Sequence, residues 1–345
     1  MSTNSGARSR TGPIAKILLV RLDGIGDALA CTPLILALRE AGHTLGAALS
    51  DRNATLFAPG VFAAQHVLDR IPWPRHGSTP ESTARARASI AAMQYDVALV
   101  ASEEPEAYRL AAGIRERVGF VTGWAKPFKT LWARTQLTRA IFRPASLRAQ
   151  AHEVEILYEL GRGYLGVQAP SREPLVPSRD PLVPSRDPVA LRTIVQGDGP
   201  VPERHGIVLQ LGTKWAALGV APERLRALSR SLIARGARAI ASPGEVEAIR
   251  AITRDVPIDV LPTLADWKDA VDRAAVLVSP DTGAVHLAGM LGVPVVAVFG
   301  VARADAQIAR WRPWAAPGAS FTSDALRDES GVAAIVAAAE AAAHG

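Results

Sequence analysis

Two stretches near opposite ends of the chain share one pattern: a run of apolar residues, a glycine-bearing turn, then residues with helical spacing. The first is 16–21 (KILLVR) followed by Gly24-Ile25-Gly26-Asp27, and the second is 275–278 (AVLV) followed by Asp281-Thr282-Gly283. A short unbroken apolar run bounded by turn residues reads as a strand buried on both faces. Strands of that kind belong to parallel sheets covered by helices on either side, so the pattern constrains the chain to an α/β layer architecture. Further strands are expected at 46–50 and 96–101, then at 206–210, 237–241, 258–261 and 295–299, with helices at 28–40, 85–93, 151–163, 331–343 and from 222 onward, where Leu225, Leu228, Leu232 and Ile233 mark an amphipathic face.

Between these two runs of strands and helices the composition changes. The heptapeptide PLVPSRD at 174–180 is repeated without change at 181–187, with two prolines in each copy. Proline at that density removes backbone donors and blocks regular helix, so an extended, exposed connector is expected. The domain reading is a flexible tail over 1–13, a Rossmann-like domain over 14–169, a proline-rich linker over 170–204 and a second Rossmann-like domain over 205–345. The N-terminal MSTNSGARSRTGP has no apolar core of a secretory signal, and no apolar run reaches the ~20 residues that cross a bilayer. The single cysteine, Cys31, leaves no intrachain disulfide and fits a reducing, cytoplasmic setting.

Charge is unevenly placed. The net charge is +6 and the pI near 9.9, yet from Ala107 to Gln150 nine basic residues stand against one acid, Glu116. Such a segment draws a polyanion such as a phosphorylated lipid or an anionic membrane face, or is an Arg-rich solvated surface. No helix-turn-helix, zinc-ligand spacing or aromatic RNA-binding signature accompanies it, so nucleic acid is not expected.

Two turns carry the candidate chemistry. A helix beginning near Gly283 would aim its unpaired N–H groups and positive dipole end at an anion, with Asp281, Thr282 and Gly283 forming the turn and His286 following within about one helical turn. The same residues also read as an ordinary capping sequence with a packed histidine. Asp27 follows the first strand, where open parallel sheets present residues to a crevice; it reads as a catalytic acid or base or as a helix cap. Gly24-Ile25-Gly26 begins a dinucleotide fingerprint, but Leu29 stands at the third glycine position. A nicotinamide-dependent oxidoreductase is therefore only a competing reading.

The run D-T-G-x-x-H-L-A with G-x-P-V-V-A-x-F-G, over 281–300, resembles the C-terminal signature of glycosyltransferase family 9, the ADP-heptose:lipopolysaccharide heptosyltransferases. R-L-D-x-x-G-D-x-L-x-x-x-P, from Arg21 to Pro33, resembles the N-terminal signature of the same family. The resemblance implies the GT-B fold, two Rossmann-like domains with parallel sheets facing across a cleft. It also implies an inverting transfer without a metal or other cofactor, from a nucleotide sugar to an anionic glycolipid of the lipopolysaccharide core, at the cytoplasmic face of the inner membrane. Asp27 then takes the role of general base, and Asp281, Thr282, Gly283 and His286 that of donor diphosphate site. Thr213 and Lys214 join the donor site by the same resemblance, although Lys214 reads equally as a solvated loop residue. Glu245 or Glu247, after the next strand, contacts the donor ribose or caps the helix that follows. Arg21, Asp23 and Gly26 are expected to contact the acceptor. A nucleotide-sugar-binding scaffold without transferase activity is the alternative from another class.

Overall fold

The computed structural model describes residues 14–71, 77–123, 126–143, 151–165 and 183–344. The tail over 1–13 and most of the PLVPSRD tandem lie outside them. Among the described residues twelve strands build two six-stranded sheets. The first contains β1 (Lys16–Arg21), β2 (Thr44–Ser50), β3 (Ala64–Leu68), β4 (Val97–Val100), β5 (Glu116–Val121) and β6 (Arg139–Phe142), ordered β3-β2-β1-β4-β5-β6. The second contains β7 (His205–Gln210), β8 (Arg238–Ala241), β9 (Asp259–Val260), β10 (Ala274–Pro280), β11 (Val295–Phe299) and β12 (Gly318–Thr322), ordered β12-β11-β10-β7-β8-β9.

All the strand pairs within the sheets are parallel. Counted from its own first strand, each half has the same order. The chain direction across the sheet reverses between β1 and β4 and again between β7 and β10. These switch points open a crevice at the C-terminal ends of the strands, where ligands bind in such sheets. The apolar runs are continuous because both faces are covered: all of β1 after Lys16 and all of β11 are buried.

One apolar cluster runs through both halves, from Leu34, Ile35 and Leu157 to Leu191, Leu287 and Met290. It places helices Thr32–Glu40, Glu153–Gly161, Pro188–Val195 and Gly283–Leu291 between the sheets. The outer faces have their own clusters, under Pro80–Met93 and Pro105–Ala111 in the first half and under Pro222–Ile233 and Glu329–His344 in the second. Among the described residues no helix is long and apolar enough to cross a membrane.

One expectation needs correction, and two gain structural detail. The helix expected over 28–40 is two helices, Ile25–Leu29 and Thr32–Glu40. Pro33 has no N–H to return to the preceding turn, so the chain breaks at Ala30-Cys31 and restarts with proline in its first turn. The 170–204 linker, expected to be extended over its proline-rich part up to Pro188, contains a helix from Pro188 onward. Asp187 caps Pro188–Val195 by accepting from Val189 and Ala190 N–H, and Leu191, Ile194 and Val195 are buried between Thr32–Glu40 and Gly283–Leu291. The described residues of the basic segment 107–150, read as drawing a polyanion or as a solvated face, include β5, β6 and the helix Pro127–Gln136.

Polar contacts tie the halves together. His152 caps Glu153–Gly161, its Nδ1 accepting from Val154 N–H, so Nε2 carries the proton donated to the Arg312 carbonyl at 2.8 Å. The buried Glu153 carboxylate accepts from Arg143 at 2.5 Å and from Arg310 at 2.8 Å. The buried Lys268 ammonium donates to the carbonyls of Leu56 (3.1 Å) and Val195 (2.8 Å).

Candidate functional site

Both glycine turns end at the same place. A cavity of about 410 Å³ is lined by Gly24, Ile25, Gly26, Asp27 and Arg52 from the first half and by Asp281, Thr282, Gly283, His286 and Trp311 from the second. The N-termini of Ile25–Leu29 and Gly283–Leu291 meet in it. Their approach requires glycine on both sides. A Cβ on Gly26 would lie 2.6 Å from His286 Cδ2, and one on Gly283 would lie 2.8 Å from Ile25 Cγ2.

The first wall is organised by Arg21, the last residue of β1. Its side chain is 4% exposed. The guanidinium donates to Asp27 Oδ1 at 2.7 Å, lies 3.3 Å from Asp23 Oδ2, and donates to the Ala101 carbonyl at the end of the neighbouring β4. Asp23 also accepts from Ser102 Oγ at 3.0 Å. Burial pushes the Asp23 carboxyl above the usual carboxylate range, with Arg21 opposing the shift. The buried Asn53 amide holds the turn by donating to the carbonyls of Arg21 (3.3 Å) and Asp23 (3.0 Å).

Asp27 sits in the first turn of its helix, with Gly24 as the N-cap, so it does not itself cap the helix. Its side chain is 38% exposed, and Oδ1 is occupied by Arg21. Oδ2 has no hydrogen bond among the described residues. The carboxylate is thus fixed through one oxygen and accessible through the other, which is the geometry a general base needs.

On the opposite wall Thr282 is the N-cap of Gly283–Leu291, its Oγ1 accepting from Ala284 N–H at 3.3 Å and lying 3.2 Å from Ser279 Oγ. Asp281 makes no side-chain hydrogen bond among the described residues. Its carboxyl is pushed above the usual range by burial, with Lys214 pulling down and Asp27 adding repulsion. His286 is 5% exposed and lies edge-on to Trp311, with ring centroids 5.2 Å apart. Burial, reinforced by the nearby His152, lowers it to about 3, so its imidazole is neutral near pH 7. It can offer a hydrogen bond there but not a charge.

Of the other sequence-named residues Gly26 lines this cavity, and Thr213, Lys214, Glu245, Arg21 and Asp23 stand around it. Lys214 opens the short helix after β7, makes no ion pair among the described residues, and faces the Asp281 charge across the β7/β10 switch point. Glu245 accepts from Thr213 N–H (2.8 Å), Thr213 Oγ1 (2.7 Å) and Ser242 Oγ (3.1 Å). It therefore holds the 212–214 loop, and its side chain makes no cap for its own helix. Arg21 and Asp23 stand behind Asp27. Gly26 lies in the cavity surface.

Arg52, Ile25 and Trp311 did not stand out in the sequence. Arg52 had a signal, since it follows a strand end beside β1, as Asp27 does. Trp311 had none, because it arrives at the end of Ala304–Trp311 from a distant part of the chain. A second cavity, about 370 Å³, lies between Pro222–Ile233 and Glu329–His344 and contains none of the residues named from the sequence. The described residues hold no group of three or more His, Cys, Asp or Glu arranged to bind a metal ion.

Comparison with known proteins follows the same lines. The family model of glycosyltransferase family 9 (heptosyltransferase) matches residues 83–326, more than half of the chain. No curated protein sequence matches significantly. Among solved structures, a glycosyl transferase family 9 protein from Veillonella parvula DSM 2008 superposes with a TM-score of 0.67 at 16% identity, covering 96% of this chain and 97% of the other. The E. coli heptosyltransferase WaaC with ADP gives 0.65 at 20% identity, with coverages of 92% and 97%. E. coli ADP-heptose lps heptosyltransferase II gives 0.62 at 17%, with coverages of 93% and 98%. The likeness extends over nearly the whole of each chain and is one of fold: two parallel sheets with helices, the GT-B arrangement.

Proposed function

Given that the chain belongs to glycosyltransferase family 9, we propose that this glycosyltransferase transfers heptose from ADP-heptose to an anionic glycolipid of the lipopolysaccharide core, with inversion and without a metal ion, in the cytoplasm. The observation that carries the reading is the shared cavity, in which Asp27 from one half faces the Asp281-Thr282-Gly283 helix start from the other. The N-terminal turn suits a diphosphate, because backbone N–H groups and the helix dipole favour negative charge there. Arg52 and Lys214 supply cations, one in the cavity wall and one across the switch point. ADP is the molecule bound by the similar E. coli heptosyltransferase WaaC, which supports an adenine nucleotide as the donor's leaving group.

The transfer then balances as follows. Asp27 Oδ2 takes the proton of an acceptor hydroxyl as that oxygen forms its bond to the anomeric carbon. The bond from that carbon to the diphosphate oxygen breaks, its electron pair leaves with ADP, and the helix start and nearby cations hold the charge that develops. Attack from the face opposite the departing diphosphate inverts the anomeric centre. Arg21 stays behind the base and fixes its orientation through Oδ1.

Asp27→Asn tests the base. With ADP-heptose and a deacylated core acceptor, its turnover should fall on the order of 10²–10⁴-fold while ADP affinity holds. Normal turnover would remove Asp27 from that role. A thermal-shift panel of ADP, UDP, GDP and NAD tests the donor, with ADP expected to stabilise most. Stabilisation by NAD alone would favour the oxidoreductase, and ADP binding without any transfer would favour a scaffold.

A further inference from the structure

Three of the largest exposed apolar side chains belong to two neighbouring elements at the β6 margin of the first sheet, the helix Pro127–Gln136 and β6 itself. Phe128 is 88% exposed, Leu131 67% and Phe142 58%. Phe128 and Leu131 stand three residues apart on Pro127–Gln136 and share one face of that helix with Thr135. The helix is well seated: Ala133 is buried, Trp132 packs edge-on against Tyr108 at 5.3 Å, and Thr130 Oγ1 donates to the Gly123 carbonyl at 3.0 Å. Its other face is filled, so the outer residues are presented to the surroundings by a fixed support. Phe142 ends the edge strand β6, and its ring lies against Gly123, where a Cβ would come within 2.3 Å of it. That contact brings it to the chain that leads into the helix.

The charge beside the exposed helix face is mainly basic. Lys126 and Arg134 flank the apolar residues of the helix, are exposed, and make no ion pair among the described residues, whereas Arg139, at the far end of β6, lies over the Tyr164 ring. Lys129 alone is paired, with Glu103 at 2.8 Å. We propose that this face, the outer side of Pro127–Gln136 with the end of β6, docks the protein onto an anionic phospholipid bilayer surface. The apolar side chains enter the acyl boundary and the cations meet the headgroups. A second copy of this chain is a poorer occupant. A two-fold interface would place the unpaired cations Lys126 and Arg134 against their own copies, at an electrostatic cost. Nucleic acid would account for the cations but gives no use for three exposed large apolar groups.

The placement fits the proposed transfer, on which this part of the inference rests. Parallel strands put the end of β6 and the end of β1 on the same edge of the sheet. Three strand spacings separate them, about 14 Å. A protein seated by this face would hold Asp27 close to the headgroup layer, where the sugars of a lipid-anchored acceptor lie.

The test is sedimentation of the full chain with vesicles of phosphatidylethanolamine and phosphatidylglycerol, with phosphatidylcholine vesicles as the neutral control. Wild type should bind the anionic vesicles, more weakly as salt rises. Phe128→Ser/Leu131→Ser should lower partitioning by about tenfold or more, because the apolar insertion is lost. Lys126→Glu/Arg134→Glu should lower it by about fivefold or more for each charge removed. Both variants change exposed residues and should melt as wild type does. They should also turn over a deacylated, soluble acceptor normally. Unchanged partitioning of either variant, or equal binding to neutral vesicles, would overturn the proposal. So would a wild-type dimer that Phe128→Ser/Leu131→Ser makes monomeric. Vesicle binding needs no turnover, so a failure of the transfer reading leaves this measurement intact.

Discussion

His152 shows how one residue serves two ends of the molecule. Its Nδ1 caps a helix of the first half, and its Nε2–H reaches the Arg312 carbonyl in the second. Only the neutral ring can do both, since a doubly protonated imidazole has no acceptor for Val154 N–H. Burial, partly offset by the Arg312 carbonyl, lowers this histidine to about 4 from an ordinary 6.5. Above pH 6.5 the ring is neutral folded and unfolded, and its contribution to stability is fully present. As pH falls from 6.5 toward 4, the unfolded chain takes up a proton that the folded one refuses. That difference should remove about 3 kcal/mol of stability by pH 4. Asn at this position can still cap the helix but does not titrate. His152→Asn should therefore be less stable than wild type by about 1 kcal/mol at neutral pH, where the Arg312 bond is missing, and lose less on acidification. Urea midpoints measured across that pH range check this, and parallel slopes for the two proteins would remove His152 as the titrating group.

At the scale of elements, the cavity depends on two helix starts packed closer than ordinary side chains permit. Gly283 needs no unusual backbone angle. It is glycine because Ile25 and the Gly26 amide nitrogen occupy the space a Cβ would take, the latter at 3.3 Å. Gly283→Ala should force the walls apart by a few tenths of an ångström to about one, and misplacement on that scale can cost up to about 10²-fold in turnover. Donor affinity should change less, because most of the proposed diphosphate site, the Gly283–Leu291 helix start and Lys214, belongs to one wall. Steady-state kinetics with calorimetry separates the two, and an equal loss in both would place the damage in the donor site alone. The turns themselves were legible in the sequence. Asp27, Asp281, Thr282 and Gly283 each follow a buried apolar run at the C-terminal end of a parallel strand, where the topology brings side chains to the crevice. Elements with mixed surroundings were less legible. Strands β5 and β6 carry Glu116, Arg117 and Arg139 and lie toward the sheet edge, so no continuous apolar run marks them. Pro188–Val195 was hidden by the prolines before it, although Asp187-Pro188 is itself a good helix start, with a capping acid and proline in the first turn. Trp311 reaches the cavity only through the packing of one half on the other, which no local pattern records.

At the scale of the whole molecule, the relation between the halves should govern turnover, since the proposed base and the anion site stand on opposite sides of one interface. A polar connection across it runs beside the apolar cluster. Arg143 and Glu153 belong to the first half, and Arg310, from Ala304–Trp311, joins them from the second by donating to the same Glu153 oxygen. Arg310 also lies 4.6 Å over the Trp311 ring, and Trp311 packs on His286 at the cavity wall. The contact that joins the halves is thus one side chain away from the site. Arg310→Met keeps the length of the side chain and its packing on Trp311 but removes the charged bond. Arg143 continues to pair with Glu153, so the first half should fold as before. The expected loss is about 1–3 kcal/mol, the range for a hydrogen bond to a charged group, together with a lower kcat. Hydrogen exchange tells a loosened interface from a frayed helix: amide protection should fall together in Glu153–Gly161 and in Ala304–Trp311, on the two sides of the lost bond. Loss of protection confined to Ala304–Trp311 would mean that Arg310 stabilises only its own helix, and that the apolar cluster and the remaining polar contacts hold the halves in register without it.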